Sequence, residues 1–505
     1  DFYFDEPFLL TARYRSKLQQ RIREAYPGYN TMHLNGATGN VPEYFHRFEN
    51  KYARESITQP VGNYVLYDMY PFSENDGYGQ TTVQDRLDEL VSWPAFGSAH
   101  AQYDYSYAGL RPALMAANQY DSDSTNDVPL FMTLQVQAEH QVIGGDYVPT
   151  AGGKRKPSRN EIFAMGNVSL AYGVKGFMYY MVPTRCELKG TDTIWGTYGL
   201  FDDSLNVFNL NQGTGLVQNP ANKQIPNERY FAVRDFINST NIIDSTLLGL
   251  RWQDAKSWNT TTNCSVNWIT NLSTRYPHFA TDDDANKTFV ETGYFLEKSP
   301  PPGKVEDAKF IYLVNRRCNL QPENTPDNFE DNPDTSYRNV KFYLNFPNSP
   351  WDIYTVTDLK TDSVYCTTKT GDVTIFLGAG EGTLLKIEPQ ITHITQDTTL
   401  SQSLTLYSDL TVSNNATLLI EDGVTVTFQN HSRLLLSNGN LTVTGTAQEP
   451  VVFDFVTPYW QSTTNGIVNN YGNFVLNHAK IKNAAVGYYS YSTDNDDIQN
   501  SEIFN

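Results

Sequence analysis

The chain has 505 residues, with 37 lysine and arginine residues against 56 aspartate and glutamate residues, so its formal net charge is −19 at pH 7. At one domain per ~100–200 residues, this length predicts two to four domains. The acidity excludes a protein built to bind nucleic acid, which needs a basic face for phosphates, and excludes binding to anionic membranes by charge alone. Aromatic residues make up 13% of the chain, which indicates a folded protein. No apolar run reaches about 18 residues, so no membrane-spanning helix is expected in this sequence.

The two ends of the sequence look like strands that are cut in mid-pattern. The residues from Asp1 to Pro7 lack a signal-peptide pattern, and Phe2-Tyr3-Phe4 resembles a buried strand with no lead-in. Residues 498–505 also resemble a strand. We therefore expect the 505 residues to be a segment of a longer polypeptide, so the missing signal peptide says nothing against secretion.

Cysteine and acidic residues give little sign of a metal site. The four cysteines form no C-x-x-C pair, so a zinc site is not expected, and they allow three disulfide pairings among which the sequence does not choose. The acidic runs at 282–284 and 494–497 offer oxygen ligands for Ca²⁺ but lack EF-hand spacing, so solvated loops are the favoured interpretation. Phosphate-loop, dinucleotide and Ser–His–Asp signatures are absent from the sequence. No cofactor is expected.

Nine N-x-[ST] sequons occur, and about seven would arise by chance in a chain so rich in Asn, Ser and Thr. Their clustering at 238–286 and 415–440 favours a secreted glycoprotein, and hence an extracellular or cell-surface location. The candidate glycosylation sites are Asn167, Asn238, Asn259, Asn263, Asn271, Asn286, Asn415, Asn430 and Asn440.

Residues 1–250 alternate short apolar runs with helical patterns, which is typical of β/α units with parallel strands. Ser158 and Glu161 form a capping-box pattern that predicts a helix ending near Gly173, and further helices are predicted at 12–26, 41–55 and 228–238. Five strands are predicted, three fewer than a closed eight-stranded barrel needs. These predicted strands are 1–4, 31–34, 64–67, 130–137 and 176–181.

The rest of the chain is predicted to be β-structure of two kinds. Residues 251–390 contain short alternating strands punctuated by the prolines at 300–302, which favours an antiparallel β-sandwich. Residues 391–505 contain closely spaced strands rich in Thr, Val and Leu, separated by Asn-Asn, Asp-Gly and Asn-Gly turns. This pattern favours a right-handed parallel β-helix, with a second sandwich as the alternative. The predicted strands are 289–297, 310–315, 340–344, 351–357 and 373–377 in the first part, and 404–412, 417–421, 424–428, 433–436, 441–443 and 451–455 in the second.

Several strand ends in residues 1–250 carry motifs in a recognisable order. Asp5-Glu6-Pro7 follows the first strand, His33-Leu34-Asn35 the second, and the segments 67–72 and 131–137 the next two. In this order the chain resembles glycoside hydrolases with a (β/α)8 barrel, close to the clan in which Asn-Glu-Pro ends the fourth strand. The resemblance implies that the chain begins at barrel strand four. Residues 378–386 look like the last strand of the sandwich that often follows such barrels, and the terminal segment is similar to β-helix modules of large secreted or surface proteins.

The resemblance also implies catalytic roles for carboxylates at strand ends. It assigns Glu6 as the acid/base; the alternative is that Asp5 and Glu6 cap the following helix. The second carboxylate of the family ends strand seven, where this chain has Gln135 and Gln137. Glu139 and Asp68 are the candidates for that role. Retaining glycosidases need two carboxyl groups ~5–5.5 Å apart and inverting ones ~6.5–9.5 Å. If neither candidate faces Glu6, the barrel is catalytically inactive.

Polar and aromatic residues at the strand ends are candidates for binding sugar. Aromatic rings offer an apolar face to sugar C–H groups, and amide and imidazole groups can bond hydroxyls. The alternative for each is an ordinary place in the core. The candidate substrate-binding residues are His33, Asn35, Tyr70, Gln135, Gln137 and Tyr180.

The sequence therefore favours a secreted or surface glycoside hydrolase-like protein that acts on or binds polysaccharide. One alternative is a structural extracellular protein in which an inactive barrel and a solenoid build a fibre, with self-association through the β-helix. Another is a carbohydrate-binding protein without turnover.

Overall fold

The computed structural model describes somewhat less than two thirds of the chain, and the account below concerns only those residues. Backbone alone is described in several strands, including those at 31–36 and 64–68. The described residues are 2–4, 21, 24–25, 31–36, 64–68, 70–71, 130–144, 146–149, 153–180, 182, 184–189, 192–201, 204–209, 214–217, 226–259, 264–284, 288–298, 308–318, 336–349, 351–429, 431–456, 465–491 and 496–504.

The first sheet has five strands, and every neighbouring pair is parallel. All five strands predicted in residues 1–250 are therefore present, and they lie in the sheet in chain order. Because the strands are parallel, their carboxyl ends meet at one edge of the sheet. Closure of this sheet into a barrel stays a prediction. The strands are β1 (Phe2–Phe4), β2 (Thr31–Gly36), β3 (Tyr64–Asp68), β4 (Leu130–Gln135) and β7 (Gly176–Tyr180).

Helix α1 (Arg159–Ala171) covers one face of strand β4. Met132 and Leu134 are fully buried in the same apolar core as the helix, so by alternation Thr133 and Gln135 point to the opposite face. The predicted capping box is confirmed: the Glu161 N–H donates to Ser158 Oγ at 3.1 Å and the Ser158 N–H donates to Glu161 Oε2 at 2.8 Å. Two further helices follow, α2 (Glu228–Thr240) and α3 (Asp244–Leu248).

After β4 the chain enters a second sheet, which has six strands. This sheet was not predicted from the sequence. Its order is β11-β10-β8-β9-β5-β6; the β10–β8 pair is parallel and the others are antiparallel. Glu139 lies on one of its strands rather than in a loop. The strands are β5 (Ala138–Ile143), β6 (Asp146–Pro149), β8 (Thr184–Lys189), β9 (Asp192–Tyr198), β10 (Ser204–Asn209) and β11 (Thr214–Val217).

Residues 250–389 form two further sheets, with orders β12-β14-β15-β20-β17-β18 and β13-β16-β19. The β12–β14 and β14–β15 pairs are antiparallel. Every strand predicted here is present, while β12, β13 and β18 were not predicted. Their packing as a sandwich stays a prediction. The strands are β12 (Leu250–Ser257), β13 (Ile269–Arg275), β14 (Val290–Glu297), β15 (Lys309–Asn315), β16 (Arg338–Leu344), β17 (Ile353–Asp358), β18 (Ser363–Thr368), β19 (Asp372–Leu377) and β20 (Gly382–Pro389).

Helix α1 packs closely against strands β14 and β15, and one apolar core contains side chains from both sides of residue 250. The Tyr172 hydroxyl, just after the helix, donates to buried Glu291 at 3.0 Å. A Cβ on Gly293 would lie 1.8 Å from the Ala171 carbonyl oxygen, so only glycine permits this approach. The first structural unit is therefore continuous across the predicted domain boundary.

The chain divides into two compact units. The first comprises Asp1–Phe342, Asp358–Asp362 and Thr374–Lys386, and the second Tyr343–Thr357, Ser363–Val373 and Ile387–Asn505. The division into domains at 1–250, 251–390 and 391–505 stays a prediction.

Residues 393–504 form three five-stranded sheets in which each strand pairs in parallel with the third strand after it. The chain thus returns to the same sheet once every 18–33 residues, which is close to the length of solenoid repeats. The strands are β21 (His393–Ile394), β22 (Thr398–Leu400), β23 (Leu404–Leu406), β24 (Leu410–Ser413), β25 (Thr417–Ile420), β26 (Thr425–Phe428), β27 (Leu434–Ser437), β28 (Asn440–Thr444), β29 (Val451–Phe455), β30 (Gly466–Asn470), β31 (Phe474–Asn477), β32 (Ala479–Lys482), β33 (Val486–Ser490), β34 (Asp496–Gln499) and β35 (Glu502–Phe504).

Inward side chains of these sheets stack in columns from one turn of the chain to the next. Phe428 and Phe455 are partners in register, and their rings stack with centroids 4.6 Å apart. The Asn-rich turns provide the left-handed backbone that the corners need: Asn414, Asn415 and Asn438 have φ between 54° and 59°. The short strands predicted here are therefore explained by two features: inward apolar side chains that stack between turns of the chain, and asparagines that form the corners.

Candidate functional site

The candidate site lies at the carboxyl edge of the first sheet. Asp68, the last residue of β3, is opposite Thr133 in register, and Gln135 is opposite Tyr180. His33 and Asn35 lie on β2, and their side chains, like that of Asp68, are outside the described part of the structure. Glu6 also lies outside the described residues, so its distance from Glu139 or Asp68 is not defined.

Tyr180, the last residue of β7, and Tyr70, two residues after β3, form a stacked pair. The rings of Tyr70 and Tyr180 have centroids 5.3 Å apart with an angle of 30° between their planes. Tyr180 is 44% exposed, and its carbonyl oxygen accepts hydrogen bonds from the N–H groups of Val136 and Gln137, each at 3.1 Å. The backbone of Gln137 is thereby joined to the aromatic pair. An exposed ring face of this kind suits a sugar ring.

Gln135 and Gln137 are both buried but differ in how their carboxamides are bonded. Gln135 Nε2 donates to the carbonyl oxygen of Arg155 at 3.0 Å. Gln137 is 1% exposed, and both of its side-chain polar atoms are shielded and without a hydrogen-bond partner among the described residues. The hydroxyl of Thr133 is likewise buried without a hydrogen-bond partner among the described residues. Unpartnered buried polar groups are costly and uncommon, so these two side chains are the strongest sign of a polar ligand.

Glu139 sits at the start of the second sheet, bonded to the backbone of Lys154. Its N–H donates to the Lys154 carbonyl oxygen at 2.6 Å, and its Oε2 accepts from the Lys154 N–H at 3.1 Å. Lys154 Nζ in turn donates to the carbonyl oxygen of Tyr70 at 3.1 Å. The structure therefore brings Glu139 into one bonded network with Tyr70 and Tyr180 through Lys154 and the Gln137 backbone. Lys154 and Thr133 were missed by the sequence analysis, although Thr133 has the alternation of Gln135 and Gln137.

Two buried arginines hold the segments that carry these side chains. Arg155 forms a bidentate pair with Glu161, with Nη–Oε distances of 2.6 and 2.8 Å and both side chains almost fully buried. Arg229 Nη1 donates to the carbonyl oxygens of Val136 and Tyr198, each at 3.1 Å. The site thus has a rigid support, which is what precise ligand binding requires.

In the acidic run at 282–284, Asp283 pairs with two arginines. The carboxylate of Asp283 accepts from Arg317 Nη2 at 3.1 Å and from Arg338 Nε at 2.6 Å, so it serves as an anion for two cations. Burial, together with nearby Arg338, lowers the pKa of Arg317 to about 9. In the second run, Asp496 accepts from Asn469 at 2.9 Å, whereas residues 494 and 495 lie outside the described part. Within the described residues, no group of three His, Cys, Asp or Glu side chains is arranged to hold a metal ion.

Burial corrects one of the nine glycosylation candidates. Asn167 is 1% exposed; its Nδ2 donates to the Gly380 carbonyl oxygen and its Oδ1 accepts from the Tyr312 hydroxyl, both at 2.8 Å. A glycan cannot be accommodated there in this fold. Of the other sequons, Asn238, Asn271 and Asn415 are exposed, Asn259 and Asn440 are half-buried, and Asn263, Asn286 and Asn430 lie outside the described residues.

Three of the four cysteines have described side chains. Cys264, Cys318 and Cys366 are thiols and form no disulfide with one another; the side chain of Cys186 is not described. Among the described helices, none is long and apolar enough to cross a membrane.

Comparison with known proteins gives low similarity to glycoside hydrolases. No family model and no curated protein sequence matches the chain. Solved structures that it resembles include an arabinofuranosidase (TM-score 0.27), a xyloglucanase of glycoside hydrolase family 44 from Paenibacillus polymyxa (0.29) and the maltogenic α-amylase AmyB from Thermotoga neapolitana (0.25), each with 10% identity over 75% of this chain. The chain spans 62%, 60% and 66% of those chains, respectively, which is less than two thirds of each. TM-scores this low do not establish a fold or an activity.

Proposed function

We propose that the chain is a glycoside hydrolase-like protein of the cell exterior that binds carbohydrate at the carboxyl edge of its parallel sheet. In this proposal the first sheet belongs to a (β/α)8 barrel, residues 251–390 form a β-sandwich and residues 391–505 a right-handed parallel β-helix. The chain order of the five parallel strands supports the first of these, and the pairing of every third strand supports the last. The clustered sequons support the exterior location.

One observation carries the carbohydrate proposal: the carboxamide of Gln137 is buried without a partner, and the N–H of the same residue donates to the carbonyl oxygen of Tyr180, whose ring stacks on Tyr70. A sugar offers hydroxyls that both donate and accept, and C–H faces that pack on aromatic rings. A carboxamide can likewise donate and accept. A bound sugar would therefore satisfy both polar atoms of Gln137 while covering the exposed ring of Tyr180.

If the site is active, a pair of carboxylates cleaves the glycosidic bond. Glu6, as the acid/base, protonates the leaving oxygen. Glu139 or Asp68 then attacks the anomeric carbon, or in an inverting enzyme deprotonates a water molecule that does so. In the retaining case, water deprotonated by Glu6 releases the sugar from the covalent intermediate. The hydrogen bond from the Lys154 N–H to Glu139 Oε2 holds this carboxylate in a fixed position.

The test is hydrolysis of a panel of aryl glycosides by the whole protein and by the variants Glu6→Gln and Glu139→Gln. Both variants are expected to lose activity by about 10²-fold or more. Glu502→Gln, which changes a carboxylate in the second unit, serves as the matched control. Full activity of Glu6→Gln would refute its assignment, and full activity of Glu139→Gln would leave Asp68 as the remaining candidate.

The second candidate function is carbohydrate binding without turnover. It is favoured by the end of strand β4, where Gln135 and Gln137 stand in place of a carboxylate nucleophile. In that case Gln137→Met abolishes binding of oligosaccharides in calorimetry, while no aryl glycoside is hydrolysed by the wild-type protein. A structural, fibre-forming role is favoured by the stacked parallel strands of 393–504; electron micrographs that show only dispersed monomers would count against it.

A further inference from the structure

One turn of the second unit places a tyrosine in a backbone conformation that suits asparagine better. The register pairs Ser413 with Ser437 and Ser437 with Asn470, so the residues that follow them occupy the same turn position in successive coils. These residues are Asn414, Asn438 and Tyr471, with φ of 57°, 54° and 65°. Asparagine tolerates the left-handed region, whereas a bulky aromatic residue there is an outlier.

The strained turn is held firmly from both sides. Asn469 is fully buried; its Nδ2 donates to the Gly472 carbonyl oxygen at 3.0 Å and its Oδ1 accepts from the Gly472 N–H at 2.9 Å. A Cβ on Gly472 would lie 1.8 Å from the Gly439 carbonyl oxygen, so the turn is pressed against the coil before it. Strain persists only where the surroundings determine the conformation in this way, and it is concentrated at functional positions.

The side chain of Tyr471 is largely exposed, so little packing offsets the backbone strain. Its side chain is 71% exposed, which is the largest exposed fraction of any big apolar or aromatic residue in the described part of the chain. The strain is therefore not offset by burial of the ring. The exposed ring is therefore accessible to a partner outside the molecule.

Two more exposed tyrosines lie on the adjacent coil. Tyr489 and Tyr491 are 47% and 59% exposed, and their ring centroids are 4.8 Å apart at 74°. The Tyr491 N–H donates to the Asn469 carbonyl oxygen at 2.8 Å, which fixes this pair beside the turn of Tyr471. Tyr488, the residue before this pair, faces inward and stacks on Phe474, so strand alternation directs Tyr489 and Tyr491 outward.

We propose that Tyr471, Tyr489 and Tyr491 form a second carbohydrate-binding surface, which takes a neutral polysaccharide chain. The segments 465–477 and 486–491 contain no Asp, Glu, Lys or Arg, and the Asp496 carboxylate, which is bonded to Asn469, would repel an anionic sugar. Tyrosine rings with asparagine and serine beside them combine apolar faces with hydrogen-bonding groups, as neutral sugars require. This surface belongs to the second unit, whereas the candidate site at the first sheet belongs to the first unit.

The experiment measures retention of the whole protein on cellulose, xylan, starch and laminarin in affinity electrophoresis and pull-down assays. The wild type is expected to bind at least one of them, and Tyr471→Asn to weaken that binding about tenfold. The same variant is expected to keep or raise the melting temperature, because asparagine suits the turn. Tyr489→Ala combined with Tyr491→Ala should weaken binding further.

Matched variants separate this proposal from its alternatives. Asn438→Gly, at the same turn position one coil earlier, should leave binding unchanged. Gln137→Met changes only the candidate site at the first sheet. If this variant still binds the polysaccharide, the tyrosine surface binds independently of the proposed function. Binding to none of the four polysaccharides, or equal retention of Tyr471→Asn and the wild type, overturns the proposal. A change in oligomeric state instead, seen by sedimentation, overturns it in favour of contact with a second copy of the chain.

Discussion

Replacing Gln137 with methionine should make the protein more stable. The two side chains have similar length and volume, but methionine has no donor or strong acceptor to leave unpaired. Each unpartnered buried polar group costs about 1–3 kcal/mol, and Gln137 has two such atoms. Counting the carboxamide as one group, we expect the free energy of unfolding to rise by about 1–3 kcal/mol.

Gln135 provides the matched control, two residues earlier on the same face. Its burial is similar, but its Nε2 donates to the Arg155 carbonyl oxygen at 3.0 Å. Gln135→Met removes that bond and leaves the carbonyl short of a donor, so the free energy of unfolding should fall by about 1 kcal/mol. The same chemical substitution is thus expected to have opposite signs at two neighbouring sites.

Urea unfolding followed by tryptophan fluorescence measures both variants, with the midpoint compared at constant slope. Isothermal calorimetry with oligosaccharides then measures whether Gln137→Met has lost binding. Gain of stability with loss of binding is the signature of a site kept for function. If both variants are destabilised to the same extent, Gln137 is an ordinary packed residue and the polar-ligand argument fails.

Three further predictions concern the first unit. Glu161→Ala strands the buried Arg155 guanidinium, so the free energy of unfolding should fall by about 3–5 kcal/mol; an unchanged urea midpoint would contradict this. Gly293→Ala sets a Cβ against the Ala171 backbone and should cost about 1–3 kcal/mol in thermal unfolding, which a wild-type melting temperature would disprove. Burial lowers the pKa of Lys360 to about 8 from 10.5, with nearby carboxylates offsetting only part. Because the unfolded chain then binds more protons, stability gains a contribution as pH rises from about 8 to 10.5; Lys360→Met should remove that contribution, and identical pH profiles would argue against it.

The elements that sequence predicts well here are those specified by local signals. The capping box of Ser158 and Glu161 acts within four residues, and the structure places the helix start where the pattern does. The solenoid turns are equally local, since Asn414 and Asn438 take the left-handed backbone that few other residues accept. Both features depend on neighbours in sequence, so a single chain is enough to find them.

The second sheet was missed because its strands are held by distant partners. Strand β5 pairs with β9, more than fifty residues away, and its sequence mixes charged, polar and apolar residues without strong alternation. Gly144 and Gly145, between β5 and β6, were the available signal, since paired glycines are typical of tight hairpin turns. The predicted strand 130–137 therefore stops before Glu139, whereas the structure places Glu139 on β5 and bonds it to Lys154.

The lack of hydrogen-bond partners for the Gln137 side chain could not be predicted from the sequence either. It depends on which backbone groups lie near the end of β4. Alternation placed Gln135 and Gln137 on one face, and that placement is consistent with their burial. Only the fold decides that the Arg155 carbonyl oxygen meets Gln135 and not Gln137. A candidate ligand-binding amide can therefore be named from sequence, but the strength of the case for it comes from three-dimensional contacts.

The chain changes from the first sheet to the second at Val136 and Gln137, and this change explains why the site is formed there. Both N–H groups donate to the Tyr180 carbonyl oxygen, and the Val136 carbonyl oxygen accepts from Arg229. These backbone groups of the crossover are paired, whereas the Gln137 carboxamide and the Thr133 hydroxyl have no hydrogen-bond partner among the described residues. A poorly packed crossover would leave backbone groups unpaired as well. Unpaired side chains next to a paired backbone are instead what a preorganised ligand site requires, because a bound hydroxyl can supply the missing partners without moving the chain.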